Sequence, residues 1–144
     1  MNEASTTPGC VFGNARRILR VEAAALLTAL LIAYYQMHAS WLLFIVLILA
    51  PDVGMIGYLR GTCVGAWSYN ALHSYVGPVI ALAAAVEFSR ALLPFAIIWA
   101  AHIALDRTLG YGLKYSDSFA HTHLGVIGRR QSPLKVREPG GSEI

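Results

Sequence analysis

Four stretches of this chain, each about 20 residues long and nearly free of charge, leave it few ways to fold. A helix rises 1.5 Å per residue, so about 20 apolar residues cross a hydrocarbon core of about 30 Å with every backbone group paired internally. The stretches run over about 18–36, 38–59, 64–86 and 91–109. Only 13% of the 144 residues are charged, against about 25% in a soluble domain. The sequence therefore predicts an all-α integral membrane protein, a bundle of four transmembrane helices. Residues 1–15 form a polar tail, 16–115 the membrane domain and 116–144 a second polar tail whose far end is expected to be disordered.

Lys and Arg set the orientation. Arg16, Arg17, Arg20, Arg60, Arg107, Lys114, Arg129, Arg130, Lys135 and Arg137 fall on one side of a four-span chain, and Arg90 alone on the other. By the positive-inside rule both termini are cytoplasmic, as in a multi-pass protein of a bacterial inner membrane. The net charge of +3 is thus a topology signal, and no nucleic-acid partner is expected. Cys10 and Cys63 are far apart and suggest neither a disulfide framework nor a thiolate zinc site. An apolar stretch behind "RRILR" also resembles a signal peptide, but "YYQMHAS" lacks a good cleavage site, so the first helix is read as retained.

With that topology each polar residue inside a span acquires a depth. Glu22 lies roughly 9 Å inside the cytoplasmic boundary. Asp52 follows Pro51, which is expected to kink the second span. Asn70 and His73 stand at i and i+3 on the third span, His102 and Asp106 at i and i+4 on the fourth. All six fall in the cytoplasmic third of the bilayer, whereas "LLTALLIAYY" and "PVIALAAAV" carry no charge.

A charge in a bilayer costs at least about 2.5 kcal/mol on insertion scales, so six polar residues at one depth point to one inward-facing cluster. Imidazoles and carboxylates on facing helices suit a divalent metal such as zinc or manganese. On this reading Asp52, His73, His102 and Asp106 are the metal ligands. Glu22, Asp52, His102 and Asp106 carry the chemistry, and Asn70, Arg107, Lys114, Tyr115 and His123 form an outer layer or lid. The ordinary alternatives are a snorkelling Glu22 beside Arg20, a boundary charge at Asp106 and interhelical hydrogen bonds from Asn70 and His73. His38 reads as an exposed loop residue, and the Trp and Tyr residues near span ends as interfacial belts.

The segments "LAPDVGMIGYLRG", "GAWSYNALHSYVGP" and "WAAHIALDRTLGYGLKYSDSFAHTHLG" together resemble a small bacterial four-span membrane family known only as a domain of unknown function. The resemblance covers about Arg16 to Gly125. It extends to Glu22, Pro51, Asp52, Asn70, His73, His102, Asp106, Arg107, Gly110, Tyr111, Gly112, Lys114, Tyr115, Phe119, Thr122, His123 and Leu124, and it implies a shared site without an established activity.

Three functions fit the pattern. The first is a metal-dependent hydrolase or related lipid-modifying enzyme, with a membrane lipid as substrate. The second is a haem or quinone redox module with His73 and His102 as axial ligands. The third is a non-catalytic proton or ion relay, or an assembly factor.

Overall fold

The computed structural model describes residues 9–128. Helix α1 spans Gly13–Gln36 and α2 Trp41–Leu47, followed by a 3₁₀ helix over Ala50–Arg60. Helices α3, Thr62–Leu72, and α4, Val76–Glu87, form the third stretch, and a single 3₁₀ turn at Arg90–Leu92 leads into α5, Leu93–Leu109. Four helical stretches, Gly13–Gln36, Trp41–Arg60, Thr62–Glu87 and Arg90–Leu109, are long and apolar enough to cross a membrane. Their outward faces carry Val21, Ile32, Leu42, Ile45, Val46, Ile56, Val79 and Val86, all exposed. So large an apolar surface suits lipid and not water. The chain is a multi-pass membrane protein.

Helix α5 is the centre of the bundle. It buries Ala96, Ile98, Ala101, His102, Ile103 and Ala104, and packs against α1 along one side and α4 along another. Small residues let neighbouring backbones approach, which is how helices associate when lipid removes the hydrophobic drive. The 3₁₀ helix instead pairs closely with α3. Carbon added at Gly54 would sit 2.9 Å from the backbone oxygen of Ser68, and at Gly65 would enter the Tyr58 ring.

The second and third spans are less regular than the sequence predicts. In place of one kinked helix over 38–59, the second changes from α to 3₁₀ geometry around Pro51, and 3₁₀ runs beyond three or four residues are uncommon. Three residues per turn stack Pro51, Gly54 and Gly57 on one edge, and Pro51 and Gly54 are both buried. The third span is not continuous over 64–86: α3 ends at Leu72, and α4 begins at Val76. His73 caps α3 with φ −105° and ψ 12°, a sparsely populated conformation.

Gly110 takes the left-handed conformation, φ 99°, and stops α5. From there the chain folds back over the end of the bundle, although a polar tail is expected from residue 116 onward. Strands β1, His121–Thr122, and β2, Gly125–Val126, form an antiparallel hairpin, and Lys114 bridges to Thr122. Thr122 and Leu124 are fully enclosed. The N-terminal segment joins this cap, because Val11 N–H donates to His123 O at 2.8 Å and Tyr115 Oη–H to Gly9 O at 2.7 Å. The remainder of the second tail, 129–144, lies outside the described residues.

Candidate metal centre

The break in the third span turns a helical residue into a fixed ligand. At its end the Tyr69 carbonyl accepts from His73 N–H at 2.9 Å and lies 2.9 Å from His73 Nδ1. A carbonyl accepts and never donates, so Nδ1 carries the proton and Nε2 presents its lone pair. The Tyr69 ring stacks on the imidazole with centroids 3.6 Å apart and planes 12° from parallel, which holds the ring orientation. The freed Leu72 carbonyl accepts from Trp99 Nε1–H at 2.7 Å, so the irregular backbone is satisfied by protein at membrane depth.

His73 Nε2 faces His102 Nε2 at 2.9 Å, and Asp52 Oδ1 lies 3.5 Å from the first and 3.6 Å from the second. Two donor atoms held about 2.1 Å from one tetrahedral ion stand roughly 3.4 Å apart, and these three edges bracket that separation. Asp52, His73 and His102 form a group that could hold a metal ion, with one donor from each of three spans. Both imidazoles are buried, and the Asp52 side chain is 31% exposed.

Asp106 stands at the edge of this trio. Its Oδ2 lies 3.5 Å from His73 Nε2 and accepts from Tyr69 Oη–H at 2.7 Å. Tyr69 thereby stacks on one group of the site and hydrogen-bonds another, a role that the sequence reading misses. Its signal was its place in "SYNALH", one turn before His73.

Lys114 closes the layer from the cap. Its ammonium lies 4.8 Å from the Tyr69 ring centroid and 3.5 Å from that of Phe119, and donates to Phe119 O at 2.9 Å. Burial pushes this amine below the ordinary lysine range, against the pull of Asp106 and Asp52 towards the charged form. Asn70 is one reason the lysine sits there: Nδ2–H donates to Lys114 O at 2.8 Å and Oδ1 accepts from Lys114 N–H at 2.7 Å. Asn70 therefore ties the cap to α3 instead of orienting a metal ligand.

Several predicted members of the cluster lie elsewhere. Glu22 shares its depth but not its side of the bundle, since α1 packs on α5 while the ligands come from the 3₁₀ helix, α3 and α5 itself. It is exposed and lines a separate cavity with Arg107 and His123. Arg107 borders a small pocket with Tyr69, His73 and Asp106 while its guanidinium lies over the Tyr75 ring at 4.7 Å, and Tyr115 faces the N-terminal segment and the His121 ring. Helical rise gives depth without azimuth, and azimuth separates Glu22 from the trio.

The geometry also bears on haem. A porphyrin plane must lie between two axial imidazoles, whereas here the two Nε2 atoms are within hydrogen-bonding distance and the ring centroids 4.9 Å apart. That pair cannot serve as a bis-histidine haem ligand set in this arrangement.

Residues 16–127 match the family model described as a domain of unknown function, DUF4260. The chain belongs to the DUF4260 family. The match begins just inside α1 and ends beyond β2, so the DUF4260 domain comprises four spans, the His/Asp group and the folded cap. No curated protein and no solved structure matches the chain.

Proposed function

We propose that this protein holds a divalent metal, zinc or manganese, at Asp52, His73 and His102 and uses it to hydrolyse or otherwise modify a membrane lipid. The observation that carries the reading is the convergence of three donor atoms from three different spans, two of them on buried imidazoles. A buried pair of imidazoles with a fixed lone pair is the preparation a metal needs, because ordering its ligands would otherwise oppose binding. When bound, such an ion supplies a polarised carbonyl and a water acidic enough to ionise near neutrality.

The chain's own groups suit the remaining steps. Asp106 lies beside His73 with one oxygen engaged by Tyr69, which suits it to accept a proton at the centre. Lys114 brings a cation against the same layer, next to two carboxylates. We assign both termini to the cytoplasmic side of a bacterial inner membrane on the ten-to-one distribution of Lys and Arg. The substrate then reaches the site from the cytoplasmic leaflet.

A second reading, a proton relay, draws on one observation: Tyr69, Asp106, His73, His102 and Asp52 form an unbroken series of contacts no longer than 3.6 Å. Elemental analysis of detergent-purified protein separates the two. The metal reading expects about one divalent ion per chain, lost in His73→Ala/His102→Ala while the helical circular dichroism persists. A folded wild type that takes up neither zinc nor manganese overturns it and leaves the relay.

A further inference from the structure

Asp106 and Arg107 are neighbours on α5 and border one small pocket with Tyr69 and His73, and Arg107 reaches a second cavity as well. While Asp106 meets His73, Arg107 lines a cavity of about 200 Å³ with Glu22, Tyr75 and His123. Its remaining walls are Leu19, Ala23 and Leu26 of α1 and Leu124 of the hairpin.

Glu22, Arg107 and His123 bring to this cavity polar groups that form no ion pair among the described residues. Neither the Glu22 carboxylate nor the Arg107 guanidinium has an opposite charge within 4.0 Å among the described residues. The Tyr75 hydroxyl is shut off from the surface and makes no hydrogen bond. His123 Nδ1 accepts from Leu113 N–H at 2.8 Å, so the ring proton sits on Nε2 and that donor is left over. Glu22 is exposed and Arg107 and His123 are half-buried, so all three stay open to a ligand that enters the cavity.

Of the three, two are donors, a guanidinium and an imidazole on separate elements, and the third is an anion. A planar carboxylate ligand offers two oxygens to such a set, whereas a phosphate offers oxygens in several directions. The Glu22 carboxylate in the same lining suits a cation on the same ligand. We infer that this cavity binds a phosphoamine group, with phosphate against Arg107 and His123 and an ammonium against Glu22. The headgroup of an ethanolamine phospholipid and free phosphoethanolamine both carry that chemistry. Exposed Leu19 and Leu26 continue the apolar wall beyond the polar groups. Burial and the nearby Arg107 charge hold His123 below the ordinary histidine range, so near neutral pH it meets the phosphate as a neutral N–H donor.

Native mass spectrometry of the detergent-solubilised full chain tests the inference with phosphatidylethanolamine, phosphatidylglycerol and soluble phosphoethanolamine as probes. Wild type is expected to retain phosphatidylethanolamine over phosphatidylglycerol. Arg107→Gln is expected to weaken retention of both by about tenfold, as loss of a charge-assisted bond implies. Glu22→Gln should abolish the preference between them, and Tyr75→Phe, which removes a hydroxyl closed off from the cavity, should leave binding unchanged. Retention of phosphatidylethanolamine that soluble phosphoethanolamine does not displace supports the lipid as ligand; binding of the soluble compound in its place supports the free headgroup. Equal retention of both lipids by wild type and all three variants, with no binding of phosphoethanolamine, overturns the inference.

Discussion

His73 and His102 face each other through their Nε2 atoms at 2.9 Å, one from the break in the third span and the other from the middle of the buried α5. Only the first has its second nitrogen tied to a backbone carbonyl. The two rings therefore differ in what holds them: His73 is oriented by Tyr69, while His102 relies on packing within α5.

Tyr69→Phe keeps the ring stack on His73 and removes the hydroxyl that donates to Asp106 at 2.7 Å. Side-chain hydrogen bonds within membrane bundles contribute about 0.6–1.7 kcal/mol, so the variant should unfold about 1 kcal/mol more easily. Equilibrium unfolding in mixed detergent micelles measures this, and an unchanged midpoint would show that the bond contributes nothing to stability.

Gly54→Ala places a carbon 2.9 Å from the backbone oxygen of Ser68, where nothing flexible can yield. Separation of the 3₁₀ helix from α3 should cost about 1–3 kcal/mol. Because Asp52 lies on that 3₁₀ helix, uptake of zinc or manganese should weaken with stability. A variant as stable as wild type would refute the close contact.

Asn70→Ala strips Lys114 of both backbone partners at once. Each polar group left buried and unpaired costs about 1–3 kcal/mol, enough to loosen the cap while the spans persist. Hydrogen exchange should accelerate over 110–128 and remain slow in α5. Asn70→Asp, which keeps the acceptor for Lys114 N–H, should give an intermediate effect.

Acid should open the cap through His123. Its folded value lies below that of an unfolded histidine, about 6.5, so the unfolded chain takes the proton first as pH falls. The stabilisation is complete above about 6.5 and is lost as pH drops towards the lower folded value, where a proton on Nδ1 displaces the Leu113 N–H bond. Between pH 7 and 5 exchange of the Leu113 amide should slow less than the fall in the intrinsic, base-catalysed rate accounts for. His123→Asn, with an amide oxygen in place of the ring nitrogen, should restore the intrinsic fall.

The spans were readable because apolar length is a one-dimensional property, and the polar layer because depth follows from residue count. Azimuth has no such proxy: Glu22 occupies the right depth on a helix that faces the other side of α5. The 3₁₀ winding was written in the period-three spacing of Pro51, Gly54 and Gly57, but a proline in an apolar run reads first as a kink. Nothing in "NALHSYVG" announces a break at His73, since Pro78 lies further on, inside α4. Tyr69 was hidden by its type, because an aromatic residue in a span reads as packing until its hydroxyl is seen on Asp106.

The 3₁₀ segment gives the three donor atoms unequal freedom. Eleven residues wound at about 2.0 Å each cover roughly 22 Å, whereas α winding would cover roughly 16 Å. His102 is carried by an α-helix already at its preferred pitch, and His73 is clasped by the last turn of another. Asp52 rides on the one strut of the bundle with length in reserve. A partial rewinding would draw it along the span while the imidazole pair stayed in place, so the third donor has a mechanical route for approach and withdrawal that the other two lack.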